Sequence, residues 1–164
     1  MMNTDTLFIN DPAGRRYFEA RQAHWDGVAR LRDSWRGLGG AYHRRLADVY
    51  RFLVPPGQRV LELGCGTGDL LAALRPAEGV GVDFSAEMIC RAAQKHPGLT
   101  FIQSDVHDLS ALRGPFDVVI LSDLVNDAWD IQRILQQVRG LCAPHTRIIM
   151  NYYSRVWELP LKAA

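Results

Sequence analysis

The chain has 164 residues, a formal net charge of +1, 48% hydrophobic and 23% charged residues, a composition that excludes disordered and fibrous classes and fits one globular domain. No apolar run approaches the roughly 20 residues of a membrane span, and MMNTDTLFIN lacks a basic start followed by an apolar core. Cys65, Cys90 and Cys142 stand singly with no C-x-x-C spacing, which argues against a disulfide scaffold or a metal site and makes a cytoplasmic location the expectation.

Charge is uneven. Residues 1–59 carry ten Arg against six acids (+4), and residues 60–164 carry nine Lys or Arg against twelve acids (−3). A basic front segment could attract a phosphorylated or anionic substrate, though a solvated helix face is the favoured reading; the dense basic stripe with aromatic platforms that nucleic acid demands is missing. Asp11-Pro12 marks a helix start, with a polar helix expected to about Trp35 and broken by RGLGG (36–40). Leu46, Val49, Tyr50 and Leu53 then recur at helical spacing until Pro55-Pro56-Gly57 ends the second helix.

Beyond that turn, short apolar runs alternate with helical segments. The runs are RVLEL (59–63), GVGVD (79–83), LTFIQ (99–103), FDVVIL (116–121) and TRIIMN (146–151), and the first three begin 20 residues apart. Such alternation predicts an α/β fold: a doubly wound, Rossmann-like parallel sheet of about five strands (residues 59–164) behind an N-terminal helical lid (residues 1–58). Ligands of such sheets bind beyond the carboxyl ends of the strands, where strand order reverses.

The residues after each run fit that expectation. Glu62-Leu63-Gly64-Cys65-Gly66-Thr67-Gly68 is a glycine-rich strand-to-helix turn, in which the backbone approaches a ligand and the next helix directs N–H groups at it. Its spacing is G-x-G-x-G, with Asp69 where a dinucleotide fingerprint places its third glycine. Asp83 ends the second run, 19 residues past Gly64, where a carboxylate accepts from both ribose hydroxyls; Phe84 beside it offers a face for a purine. The alternative for Asp83 is a helix cap, a role Ser85 fills as well. Asp105, in Ser104-Asp105-Val106, can hold an adenine amine next to a backbone N–H, or be a plain loop acid.

In this order the motifs resemble the class I S-adenosylmethionine-dependent methyltransferases. VLELGCGTGDL is similar to that family's glycine-rich motif, GVDFS to its ribose-binding acid, SDVHDL to its adenine-binding acid and FDVVILSDLVND to its fourth strand. The resemblance implies a cofactor, S-adenosylmethionine, across Gly64, Cys65, Gly66, Gly68, Asp83, Phe84, Asp105, Val106 and Ser122, with Glu62 orienting its methionine end. SDLVNDAWD and NYYSRVWE further resemble a bacterial methyltransferase domain that in some chains is fused to a polyprenyl-type glycosyltransferase. After the fourth strand the chain reads Leu121-Ser122-Asp123-Leu124, not the Asn/Asp-Pro-Pro-Tyr/Phe of many base- and protein-modifying members. The family sheet usually has seven strands; only five are expected here, with the C-terminal strands missing.

The expected reaction is O- or N-methylation of a small molecule. His107, Asp123 and Tyr152 are candidates for removing the acceptor's proton, with His24 on the lid and Tyr17, Trp25 and Tyr42 as aromatic walls. Each has a bland alternative: His107 as a loop strut, Asp123 and Asn126 as caps of a helix near Ala128, Tyr152 or Tyr153 as a core residue. A non-catalytic cofactor-binding module and, less favoured, a nicotinamide-dependent oxidoreductase remain as other readings. The fifth run carries no Pro or Lys, so the Thr146–Asn151 edge or the Val156–Leu161 segment is expected to pair with a second copy or a C-terminal segment.

Overall fold

The computed structural model describes residues 12–31 and 37–152. Two helices lead, α1 (Pro12–Leu31) and α2 (Gly37–Leu53). Then follow β1 (Arg59–Leu63), α3 (Asp69–Ala73), β2 (Glu78–Asp83), α4 (Ala86–Lys95), β3 (Thr100–Gln103), β4 (Phe116–Ser122), α5 (Ile131–Arg139) and β5 (Cys142–Asn151). The five strands form one sheet in the order β3-β2-β1-β4-β5, and every neighbouring pair is parallel. Order reverses between β1 and β4, so the crevice at their carboxyl ends is where a ligand is expected.

Strand residues alternate between two buried layers, which is why the central strands read as continuous apolar runs. Leu61, Leu63, Val119 and Leu121 face α5 and the β3–β4 connection, packing on Ile134, Val138, Val106 and Leu109. Val60, Val118 and Ile120 face the other way, onto Tyr50 and Val54 of α2 and its following turn, and Leu71 of α3. Ser85 caps α4 by accepting from the Met88 N–H, and Asp130 caps α5 by accepting from the Arg133 N–H. The cap of α5 is thus Asp130, and neither Asp123 nor Asn126 begins that helix. The fifth strand is longer than expected. It starts at Cys142, and a register shift between Phe116 and Val118 absorbs the Ala143–His145 stretch, with Thr146 Oγ1 donating to the Phe116 carbonyl and accepting from the Ala143 N–H.

Candidate active site

The glycine turn is fastened to β2. The Gly64 and Cys65 N–H groups donate to the Val82 carbonyl, at 2.8 and 3.0 Å. Gly64, Gly66 and Gly68 all adopt positive φ, but for different reasons. A side chain at Gly68 would press within 2.5 Å of the Phe101 ring, and one at Gly64 would lie 3.0 Å from Leu124. At Gly66 it would meet nothing within 4 Å. Gly64 and Gly68 are therefore packing glycines, and Gly66 fronts open space. The helix after the turn, α3, has only five residues, and the Gly64, Cys65, Gly66 and Gly68 N–H groups donate within the protein, to Val82, Val82, Asp83 and Cys65.

Asp83 closes β2 with a buried carboxylate, accepting from Gly66 N–H and Ser85 N–H at 2.9 Å each. Burial pushes its pKa up, and the two amides partly offset this. The carboxylate locks the glycine turn to the start of α4. Phe84 is half-buried beside it, its ring 5.5 Å from Phe18 of α1. Cys65 is buried in the turn, and burial raises its thiol well above the usual range, so it packs rather than reacts.

Glu62 is 3% exposed, its carboxyl pushed up to about 8 by burial, with Asp83 and Asp69 adding to the effect. Its Oε2 has no hydrogen-bond partner.

In the β3–β4 connection, Asp105 Oδ1 accepts from the His107 N–H at 2.9 Å and faces His107 Nδ1 at 2.6 Å. His107 Nε2 accepts from the Asp130 N–H at 3.2 Å, which assigns the proton to Nδ1. His107 is 5% exposed, with both ring nitrogens engaged: it braces the Asp105 loop against α5. Val106 is buried in the core, so only its main chain is available to a ligand.

At the ends of β4 and β5 a polar chain forms. Asp123, at a positive φ of 55°, accepts from the Tyr42 hydroxyl at 2.8 and 3.0 Å and from Asn151 Nδ2 at 2.6 Å. Asn151 Oδ1 accepts from the Tyr50 hydroxyl at 2.7 Å, and Ser122 bonds the same hydroxyl. Burial raises the Asp123 carboxyl and lowers neighbouring His43. The network holds Asp123 in the left-handed region, which Asp tolerates better than most non-glycine residues. Tyr152 is 70% exposed, and Tyr153 and the Val156–Leu161 segment lie outside the described residues.

Helix α1 crosses the mouth of this crevice. Gln22 donates to the Phe84 carbonyl at 3.1 Å and Asp26 bonds the Ser85 hydroxyl, both at the end of β2. On the β4 side, Arg21 pairs with Asp127 at 2.5 Å, Trp25 Nε1 donates to the same carboxylate at 3.0 Å, and the Tyr17 hydroxyl reaches the Asp127 carbonyl at 3.4 Å. His24 is exposed. Arg21, Gln22, Asp26, Asp127 and Asn151 were not among the expected site residues. Sequence periodicity finds faces of one element; it carries no signal for polar partners some 60 to 106 residues apart.

A reversing parallel sheet, a glycine turn after its first strand and a buried acid closing its second define a Rossmann-like domain built for a nucleoside-containing cofactor. Residues 55–164 match the family described as Methyltransferase domain, and the chain belongs to that family. It is 33% identical over 113 residues to a 2-phytyl-1,4-naphtoquinone methyltransferase of Trichormus variabilis, covering 61% of this chain and 48% of the relative. It is 31% identical over 145 residues to a demethylmenaquinone methyltransferase of Beutenbergia cavernae, covering 85% of this chain and 60% of the relative. The chain thus spans about half the length of the curated relatives it matches. Its fold is similar to that of magnesium protoporphyrin IX methyltransferase from Synechocystis, solved with bound S-adenosylhomocysteine, with a TM-score of 0.66 at 21% identity over 91% of this chain and 74% of that one.

Proposed function

We propose that this domain binds S-adenosylmethionine in the crevice at the ends of β1, β2 and β4 and transfers its methyl group to a small, lipophilic acceptor. The observation that carries the reading is the pairing of Asp83 with the Gly66 N–H: a buried acid closing β2 and a glycine whose Cβ position is open space stand together. The unpartnered Oε2 of buried Glu62 fits an amino acid's ammonium. Asp83 holds the ribose, Phe84 lies along the purine, and Asp105 with the Val106 main chain meets the adenine edge. The lipophilic acceptor follows from the quinone substrates named for the two relatives.

S-adenosylmethionine supplies an electrophilic methyl carbon on a sulfonium. The residues of this chain align the acceptor, exclude water and take its proton. Helix α1 excludes water by spanning the crevice from Phe84 to Asp127. Among the expected bases, His107 has both nitrogens occupied, and Tyr152 lies at the exposed end of β5. Asp123 is left as the group that accepts the proton at its carboxylate, with Tyr42 and Asn151 fixing its orientation. Both oxygen and nitrogen acceptors fit this arrangement, and the cytosol is the compartment in which three unpaired thiols are stable. Titration calorimetry with S-adenosylhomocysteine and, separately, with NAD tests the reading: binding of the first and silence with the second is expected, and the reverse overturns it.

A further inference from the structure

His43 takes part in none of the steps above, yet α2 places it beside them. His43, Leu46 and Tyr50 stand at i, i+3 and i+7 and share one face of that helix. The face lies on the sheet. Leu46 and Tyr50 pack in the layer of Val60, Val118 and Ile120, and the Tyr50 hydroxyl donates to Asn151 Oδ1. Asn151 stands opposite Ser122 in the register of β4 and β5. Nearer the amino end of α2, Tyr42 touches Asp123, just past β4, so the helix reaches the strand ends where His43 follows.

Tyr42 joins His43 to Asp123. Its hydroxyl donates to both Asp123 oxygens, and its ring lies 5.4 Å from that of His43, edge-on at 72°. Helix α2 also packs on α3, whose first residue is Asp69. Burial lowers the His43 pKa, and the charges of Asp123 and then Asp69 act against that. Asp69 is shared with Lys95 and His96 of α4, which leaves Asp123 as the stronger partner. Asp123 is faced in turn by Tyr42, Asn151, His43 and Asp127, the last paired with Arg21 of α1. Arg44 and Arg45, next to His43 in α2, are exposed. Burial disfavours the charged form of each partner, raising Asp123 and lowering His43. Their proton affinities are thereby drawn together, the condition in which a proton passes readily from one to the other.

We propose that His43 and Asp123 act as one proton-accepting unit, in which the proton taken at the Asp123 carboxylate is drawn off by the His43 imidazole. This deepens the reaction proposed above and rests on it. The acceptor's oxygen or nitrogen bonds to the methyl carbon while the carbon–sulfur bond breaks and leaves its electron pair on sulfur. The acceptor's proton goes to Asp123, then to a ring nitrogen of His43, which restores the carboxylate beside the new imidazolium. His43 is half-buried, so its proton then passes to water. His43 is a positioning residue in this sense: it acts through Asp123 and returns that carboxylate to its accepting form.

Two measurements on the 164-residue chain test the unit. Histidine-selective NMR reads the titration of His43, assigned by the signal lost in His43→Gln, and needs no acceptor. Asp123→Asn is expected to lower the His43 pKa, because the carboxylate that favours the imidazolium is gone; an unchanged titration overturns the pairing. Labelled-methyl transfer to naphthohydroquinone, followed against pH, reads the role. A carboxylate beside an imidazolium holds the last shared proton more firmly than Asp123 alone does. His43→Gln is therefore expected to move the ascending limb of the pH profile to lower pH and to lower its plateau about 10²-fold. Full turnover in His43→Gln, or reduced turnover on an unmoved limb, makes His43 a structural residue and refutes the relay. Should the wild-type chain leave the probe unmethylated while the NMR coupling holds, the reaction reading itself falls, and the relay with it.

Discussion

Glu62→Gln probes the site through its protonation. The carboxyl, ordinarily near 4.5, stands at about 8 in the folded protein because it is buried in β1 with Asp83 of β2, Asp69 of α3 and Tyr50 of α2 facing it. Between those two values the folded chain keeps a proton that the unfolded chain has lost. Folding is thus favoured by acid, and that contribution is lost as pH rises through about 8. One proton corresponds to about 1.4 kcal/mol per pH unit, with a ceiling of roughly 5 kcal/mol across the window. Glu62→Gln keeps the shape and removes the titration. Urea unfolding at a series of pH values from 5.5 to 8.5 is expected to show wild-type stability falling relative to the variant by roughly 1 kcal/mol per pH unit. On the proposed reading, binding of S-adenosylhomocysteine would place an ammonium beside the carboxyl, lower its pKa and release a proton near pH 7. Calorimetry in buffers of different ionisation enthalpy reads that proton, and Glu62→Gln abolishes it. Parallel stability curves for the two proteins would refute the burial argument, and an unchanged proton release would refute the ammonium contact.

Three further outcomes follow from the geometry. Asp83→Ala and Gly66→Ala are each expected to weaken S-adenosylhomocysteine at least tenfold in calorimetry, with circular dichroism preserved, whereas Gly68→Ala, which meets the Phe101 ring at 2.5 Å, lowers the unfolding midpoint instead. Asp123→Asn keeps a residue that tolerates a φ of 55° and is expected to lower labelled-methyl turnover about 10²- to 10⁴-fold, the range for losing a general base, with cofactor affinity within about twofold; full turnover would assign the proton elsewhere. Strand β5 pairs only with β4 among the described residues and exposes Ile148 and Met150, so residues 1–164 are expected to self-associate, and light scattering that shows a monomer across a dilution series would exclude it.

The parts of this site legible in the sequence are those whose cause is local. The glycine turn, Asp83 and Asp105 each follow an apolar run closely, so chain order alone places them at strand ends. Helix α4 runs Ala86–Lys95 over AEMICRAAQK for equally local reasons: its cap, Ser85, stands immediately before that stretch, and first-turn Glu87 and last-turn Lys95 lie within it. The start of β5 was hidden because Pro144 reads as a breaker, while the structure accommodates it in a register shift opposite Phe116 and Val118. The role of His107 was hidden for another reason. A histidine's tautomer depends on partners at both nitrogens, and one of them, the Asp130 N–H, lies 23 residues away.

The charge of the crevice argues for one cofactor class over its rival. Glu62, Asp83 and Asp123 end or follow three strands that meet there, and burial raises all three carboxyls. No Lys or Arg forms an ion pair with any of them among the described residues. A nicotinamide dinucleotide would bring a pyrophosphate toward these carboxyls, and those that are ionised would repel it, Glu62 only above about pH 8. S-adenosylmethionine brings a sulfonium and an ammonium against one carboxylate, a net charge of +1, and relieves the same carboxyls. In the proposed reaction, methyl transfer would remove the sulfonium charge, so the product would meet these carboxyls with one favourable charge fewer than the substrate.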